Sequence, residues 1–305
     1  MQNKDHHQSA RAGQSDPRHM PVMATTVLEY LRPEPGESYL DLTAGYGGHA
    51  QKIIKATGAP KKAVLIDRDA EATAFLKEHF ARSTILHQDF LGATASLKEA
   101  SKRFDMILAD LGVSSVHFNT PSRGFAFAHE GPLDMRMDAQ QALTASQIVN
   151  DWPQAKLAAV LKELGEEPKA RAIAATIVRQ RPIARTTELA SLVAKFWPKG
   201  KKHPATRVFQ ALRMAVNDEL GQLAGTLPLL IDLLADDGRL VIISFHSLED
   251  RLVKQFLAEA SYGYEATLRL LTKKPATTAD NEVAFNPRAR SAKLRAAAKI
   301  KTKKG

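Results

Sequence analysis

Residues 39–49 read Tyr39-Leu40-Asp41-Leu42-Thr43-Ala44-Gly45-Tyr46-Gly47-Gly48-His49, and 18 residues beyond His49 the apolar run Ala63-Val64-Leu65-Ile66 ends on Asp67. A short apolar strand, a glycine-rich turn, a helix and a second strand ending in a carboxylate make the first half of a nucleotide-binding βαβ unit. Gly45, Gly47 and Gly48 let the backbone take positive φ and come close to a ligand. A helix over about His49 to Ala56, with Gly58 beyond its end, aims its first amides at that ligand. Asp67 is placed to accept hydrogen bonds from ribose hydroxyls. The spacing Gly45-x-Gly47-x-x-Ala50 also fits the dinucleotide fingerprint of dehydrogenases, so the glycines alone leave two cofactor classes open. Asp41 tilts the choice: a carboxylate four residues before Gly45 suits the cationic amino-acid group of S-adenosylmethionine and repels a pyrophosphate.

Outward from this unit, strand-like runs recur at Tyr39 to Thr43, Ala63 to Asp67, Thr84 to Leu86, Met106 to Ala109 and Arg239 to Ser244, with helical patterns between them. Alternating β and α elements imply a parallel sheet covered on both faces. Between the fourth and fifth strands lies a long alanine-rich stretch with helical periodicity: Gln154 to Leu164 closed by Gly165, Lys169 to Arg179 stopped near Pro182, and Thr187 to Lys195 stopped by Pro198. This predicts an α/β chain with an inserted all-helical domain over residues 144–202. The flanking segments 19–143 and 203–300 together form the sheet domain. His203-Pro204-Ala205-Thr206 opens a long helix back to the sheet. Residues 1–18 read as a disordered tail and 301–305 as a basic one. Near the C-terminus, Glu282 to Phe285 and Lys293 to Leu294 read as β-like segments.

With 305 residues and no cysteine, the chain has room for a substantial core and no disulfide, thiolate metal site or thiol nucleophile. No long apolar run or hydrophobic leader is present, which predicts a cytoplasmic protein with no membrane span. The net charge of +10 is unevenly placed: Lys169 to Arg213 holds eleven Lys or Arg against one acid, and Arg288 to Lys304 holds eight with none. Two basic runs in an otherwise acidic chain point to a polyanion, with nucleic acid the first candidate.

Ligands of an open parallel sheet bind beyond the carboxyl ends of its strands. Those ends carry Gly45 to His49, Asp67, Asp89-Phe90, Asp110 to Ser115, and Ser244 to Arg251. So many carboxylates fit a sulfonium cofactor with sugar and amine donors. They fit a pyrophosphate poorly. Asp89 is a candidate for an adenine amine, and Phe90 for its ring or for the core. Asp110 leads into a small-residue loop that admits a substrate base, or else caps the next turn. His246, with Glu249 and Asp250 near it, is a candidate base, hydrogen-bond donor or structural residue, and no metal spacing supports a metal role. Phe125 and Phe127 either stack a base or anchor their loop.

Gly47-Gly48-His49, Asp110-Leu-Gly-Val-Ser-Ser115, Arg123-Gly-Phe-x-Phe127, Gly131-Pro-Leu-Asp-Met-Arg-Met-Asp138, His203-Pro-Ala-Thr-Arg207, Ile243-Ser-Phe-His-Ser-Leu-Glu-Asp-Arg251 and Asn286-Pro-Arg-Ala-Arg-Ser291 together resemble the bacterial ribosomal RNA small subunit methyltransferase H family over roughly residues 19–300. The resemblance implies a class I, Rossmann-like methyltransferase. It would carry a methyl group from S-adenosylmethionine to N4 of a cytidine in the decoding region of 16S rRNA, met within the small ribosomal subunit. It places cofactor contacts on Gly47, Gly48, His49, Asp67, Phe90, Asp110 and His117, the last standing where the family usually carries glutamine. The stretch between Phe256 and Glu282 is shorter than in many members.

Methylation at cytosine carbon 5 ordinarily needs a thiolate, which this chain lacks, whereas exocyclic transfer needs none. His246 is the expected orienting or proton-accepting residue. Arg207, Arg213, Arg288 and Arg290 are the expected phosphate contacts. A nicotinamide oxidoreductase and a non-catalytic ribosome-assembly factor stay open as rivals, and so does the oligomeric state, a homodimer included.

Overall fold

The computed structural model describes residues 21–113, 115–197 and 203–301, without the side chains of Ser115, Asp280, Phe285, Pro287 and Arg288. The expected tail at 1–18 and most of that at 301–305 lie outside the described residues. In chain order come α1 (Ala24–Leu31), β1 (Tyr39–Asp41), α2 (Gly48–Thr57), β2 (Ala63–Asp67), α3 (Ala70–His79), β3 (Thr84–His87), α4 (Phe90–Glu99) and β4 (Phe104–Asp110). There follow the helices α5 (Ser115–Asn119), α6 (Ala145–Asp151), α7 (Gln154–Glu163), α8 (Ala170–Arg179), α9 (Thr186–Ala194), α10 (Ala205–Asn217) and α11 (Glu219–Leu233). The chain closes with β5 (Leu234–Ser244), α12 (Ser247–Ala260), β6 (Leu268–Leu270), β7 (Ala276–Thr277), α13 (Asp280–Phe285) and β8 (Lys293–Lys299). It divides into two compact units, one of Met1–Asp110, Leu230–Ile243 and Leu257–Gly305, the other of Leu111–Leu229 and Ser244–Phe256.

The first unit is built on one sheet in the order β3-β2-β1-β4-β5-β8-β6, with β7 paired to β8. β1 runs parallel to β2 and β4, and β4 parallel to β5, while β6 and β7 run antiparallel to β8. Tyr39 to Asp41 in β1 and Met106 to Ala109 in β4 are buried without interruption. That is the pattern of strands covered on both faces. Because the parallel strands all point one way, Asp41, Asp67 and Asp110 come to the same edge of the sheet.

The second unit has its own core. Val208, Phe209, Ala211, Leu212 and Val216 recur along one face of α10 at helical spacing and are buried with Leu157 and Leu161 of α7, Ile173 and Ile177 of α8, and Leu189 and Val193 of α9. The turn from α7 to α8 passes so near α10 that a Cβ on Gly165 would meet the carbonyl oxygen of Arg207 at 2.7 Å.

Two expectations need correction. Glu282 to Phe285 is helical, not extended: Ala279 caps α13, Pro287 follows it, and the Glu282 side chain is spent on the backbone N–H of Met23 at 2.6 Å. The single helix expected after His203 is two, because Asp218 turns left-handed at φ +46 and ends α10. β6 and β7 are too short to carry a period of their own, and sequence patterning does not show them.

Candidate active site

The candidate site of the first unit lies at the tips of β1, β2 and β4. Gly47 sits at φ +77, and a Cβ there would lie 2.3 Å from the Phe80 ring; a Cβ on Gly48 would press on Pro21 at 3.2 Å. The turn is therefore held close from behind, and its glycines put no side chain between the backbone and a ligand. Asp67 locks the turn to β2: one carboxylate oxygen accepts from the Gly45 N–H at 2.7 Å and the other from the Asp69 N–H at 2.8 Å. Asp89 caps α4 through the Gly92 N–H at 2.8 Å, which accounts for one of its oxygens, and Phe90 opens that helix half-buried.

Behind the turn lies a buried polar group. Tyr39 and Asp41 stand two apart on β1 and share a face, so the Tyr39 hydroxyl donates to Asp41 at 2.6 Å, and the Thr43 N–H adds a bond at 3.2 Å. Burial pushes the Asp41 carboxyl from 3.8 up to about 6, against the Tyr39 bond, the His49 ring and the Thr43 N–H, with Asp110 adding to the rise. Burial and the neighbouring Asp41 likewise raise the Tyr39 hydroxyl well above its ordinary value. His49, in the first turn of α2, turns Nε2 toward Asp110 Oδ2 at 3.5 Å. Thr43 in turn accepts the Asp110 N–H on its hydroxyl at 2.7 Å. The strand-end rule passes over Tyr39 and Thr43. Their signal is a hydroxyl two residues either side of a strand-end carboxylate.

The second unit holds His117, His246, Arg207 and Arg213, while Arg288 and Arg290 belong to the first. His117 is buried and its ring lies 5.0 Å from that of Phe125. His246 is turned into its own helix rather than outward: Nδ1 accepts from the Glu249 N–H at 3.4 Å, and Nε2 lies 3.1 Å from the Glu249 carboxylate. Burial raises the Glu249 carboxyl, but the His246 ring, the Arg213 charge and the Phe245 N–H outweigh it and hold the group below its ordinary value. Glu219, His246 and Glu249 bring three ligand-type atoms within 4.8 Å of one another. The Arg213 guanidinium, however, already grips both oxygens of Glu219, at 2.7 and 2.8 Å. A fixed cation thus meets the charge that would otherwise call for a metal.

Of the expected phosphate contacts, Arg213 is partly buried and paired with Glu219, Arg207 and Arg290 are exposed, and the Arg288 side chain lies outside the described residues. Phe125 is buried and Phe127 stacks on the His203 ring at 4.4 Å, so both anchor their loop. The loop itself is tied down: Arg123 donates to the carbonyls of Arg136 and Met137, and Asn217 bonds Met137 and Met135 at 2.8 Å each. A Cβ on Gly124 or Gly131 would come within 2.0 Å of a carbonyl oxygen, which explains the glycines in those blocks by packing alone.

A doubly wound sheet with a glycine turn after β1 and a backbone-bonded acid ending β2 is a nucleotide-cofactor fold, and the family match below makes it a class I methyltransferase whose cofactor is S-adenosylmethionine. The close-packed turn and the strand-end carboxylates fit that cation. The sequence profile of the MraW methylase family matches residues 16–300, and the chain belongs to that family. It is 47% identical over 290 residues to a ribosomal RNA small subunit methyltransferase H of Trichodesmium erythraeum, covering 92% of this chain and 99% of that one. It is 45% identical over 295 residues to the protein of the same name from Synechocystis sp., covering 94% and 95%. To that from Heliobacterium mobile it is 42% identical over 308 residues, covering 92% and 99%.

Proposed function

We propose that this protein transfers a methyl group from S-adenosylmethionine to the exocyclic N4 of a cytidine in the decoding region of 16S rRNA, in the cytoplasm. The observation that carries the reading is near full-length likeness, 47% over 92% of the chain, to a relative whose name states a small-subunit ribosomal RNA methyltransferase. The choice of N4 draws on the absence of cysteine, since attack through ring carbon 5 needs a thiolate.

In this reading Gly47, Gly48, His49, Asp67, Phe90, Asp110 and His117 form the cofactor shell, with Asp67 on the ribose. When bound, S-adenosylmethionine supplies a methyl group already activated by its sulfonium. The protein's work is alignment of the acceptor and exclusion of water. The helical stretch 144–202 recognises the RNA, and Arg207, Arg288 and Arg290 meet its phosphates. No described helix is long and apolar enough to cross a membrane. The test is incubation with labelled S-adenosylmethionine and undermethylated 30S subunits, followed by digestion to nucleosides. Label in N4-methylcytidine is expected. Label at carbon 5, or none in cytidine, overturns the assignment.

A further inference from the structure

Among the described residues three large apolar side chains are exposed, Tyr262, Tyr264 and Ile300, and all three stand at one corner of the first unit. Tyr262 and Tyr264 lie in the loop from α12 to β6, and Ile300 follows the end of β8. The Ile300 N–H donates to the Thr267 carbonyl at 2.9 Å and the Thr267 N–H to that of Ala260 at 2.9 Å, so strand end and loop are bonded together. Within the loop the Tyr262 N–H donates to the Glu259 carbonyl and the Ala266 N–H to that of Gly263, each at 3.4 Å. Between the tyrosines Gly263 turns at φ +80, with nothing within 4 Å of where a Cβ would stand. Exposures of 86% for Tyr262 and 106% for Tyr264 leave both rings open to solvent. Aromatic surface left in water is unfavourable, and gathered at one place it marks a contact site.

We infer that Tyr262 and Tyr264 form a stacking platform for unpaired bases of ribosomal RNA, and that the basic end of the chain meets the phosphates of the same strand. The inference rests on the reading of ribosomal RNA as substrate and adds a contact to it. Lys301 is exposed directly after Ile300, and Lys303 and Lys304 follow in the sequence. With Arg269, exposed on β6, they set four cations against two acids, Glu259 and Glu265. Lys299 is not among them, since its ammonium donates to the carbonyls of Ile231 and Leu234. Open aromatic faces beside a net positive charge are what holds a single strand, whatever its sequence. A protein partner needs more apolar surface than this. Ser261, Gly263 and Glu265 flank the rings, and Ile300 is the one large aliphatic side chain exposed among the described residues.

The corner lies away from the strand-end carboxylates. The Lys299 ammonium reaches the carbonyl of Leu234, the first residue of β5, at 2.9 Å, and Leu234 pairs with Phe104, the first residue of β4. The end of β8 therefore stands at the amino ends of the parallel strands, while Asp67 and Asp110 close β2 and β4 at the other edge. Seven residues of β4 at about 3.3 Å each put the two edges about 20 Å apart. The stacked bases are thus not the cytidine that receives the methyl group but RNA around it. The platform acts on substrate binding and leaves the chemical step alone.

The test compares wild type with the double variants Tyr262→Ala/Tyr264→Ala and Tyr262→Phe/Tyr264→Phe in the full-length protein. It reads kcat and KM with undermethylated 30S subunits, Kd for protein-free 16S rRNA, Kd for S-adenosylmethionine, and melting temperature. The alanine pair should raise KM and the RNA Kd by roughly tenfold or more, while kcat, cofactor Kd and melting temperature stay as in wild type. The phenylalanine pair keeps the ring faces and should bind RNA within about twofold of wild type. Lys301, Lys303 and Lys304 changed together to glutamine should flatten the dependence of log affinity on log salt by about 2. RNA affinity unchanged in the alanine pair overturns the inference. So does a loss confined to 30S subunits with protein-free RNA bound as before, which would give the rings to a ribosomal protein. An unchanged salt slope overturns the part assigned to the lysines. A wild type that transfers no methyl overturns the function instead, and the RNA Kd still decides for or against the platform.

Discussion

Replacing Asp41 by asparagine should stabilise the protein at neutral pH and destabilise it in acid. Asp41 is buried with a folded-state pKa of about 6 against an ordinary 3.8. Between those values the folded state binds more protons than the unfolded chain, so stability falls as pH rises through about 4 to 6, opposite to the usual carboxylate. Above pH 6 the ionised group costs roughly 3 kcal/mol. Asparagine removes that cost but has one acceptor oxygen for two donors, the Tyr39 hydroxyl and the Thr43 N–H, a loss of about 1 kcal/mol. The net gain is about 2 kcal/mol at pH 7, and below pH 4 the variant is the less stable by about 1 kcal/mol. Urea unfolding of both proteins at pH 4, 5.5 and 7, followed by circular dichroism, measures the difference. A difference that holds one sign and size across the range would refute the reasoning. Tyr39→Phe serves as a companion: losing a bond that favours the carboxylate, it should carry the titration window above pH 6.

Arg213→Ala leaves Glu219 buried without its partner and should cost about 3–5 kcal/mol of stability, while the slope of RNA affinity against salt stays as in wild type. Arg207→Ala should do the reverse, leaving thermal unfolding in place and reducing that slope by about 0.7, the share of a single neutralised phosphate. Asp67→Ala frees the N–H groups of Gly45 and Asp69 and should weaken S-adenosylmethionine binding at least tenfold by calorimetry; unchanged affinity would contradict the ribose role. Gly124→Ala forces a Cβ to within 2.0 Å of the Pro132 carbonyl at φ +71 and should prevent native folding, seen as loss of the cooperative melt.

Four of the five parallel strands are legible because each carries an apolar run ending in Asp or Ser, β3 because its short Ile85-Leu86 run lies close to Asp89, and the three helices of residues 154–194 because their periodicity is interrupted by Gly and Pro. The strand-end rule then brings Asp67, Asp89 and Asp110 to one edge without any knowledge of contacts, while Asp41 joins them only because β1 stops at Asp41 rather than Thr43. What stays hidden depends on direction. The names His246 and Arg213 do not tell whether a ring faces outward or into Glu249, nor whether a guanidinium meets solvent or Glu219. Helix α13 reads as a strand because Val283 and Phe285 stand two apart, while Glu282 in it is held by a bond from Met23, 259 positions away.

β8 has a consequence for synthesis. It is the last of the described elements in chain order, yet it sits inside the sheet, between β5 and β6, with Leu294 to Ala298 buried. Until residue 299 is free of the ribosome, β5 keeps an unpaired edge of backbone donors and acceptors, the kind of edge that recruits foreign strands. Nascent chains, and any truncation before Lys293, should therefore be the aggregation-prone forms of this enzyme, although every residue of the glycine turn and the strand-end carboxylates has already been made.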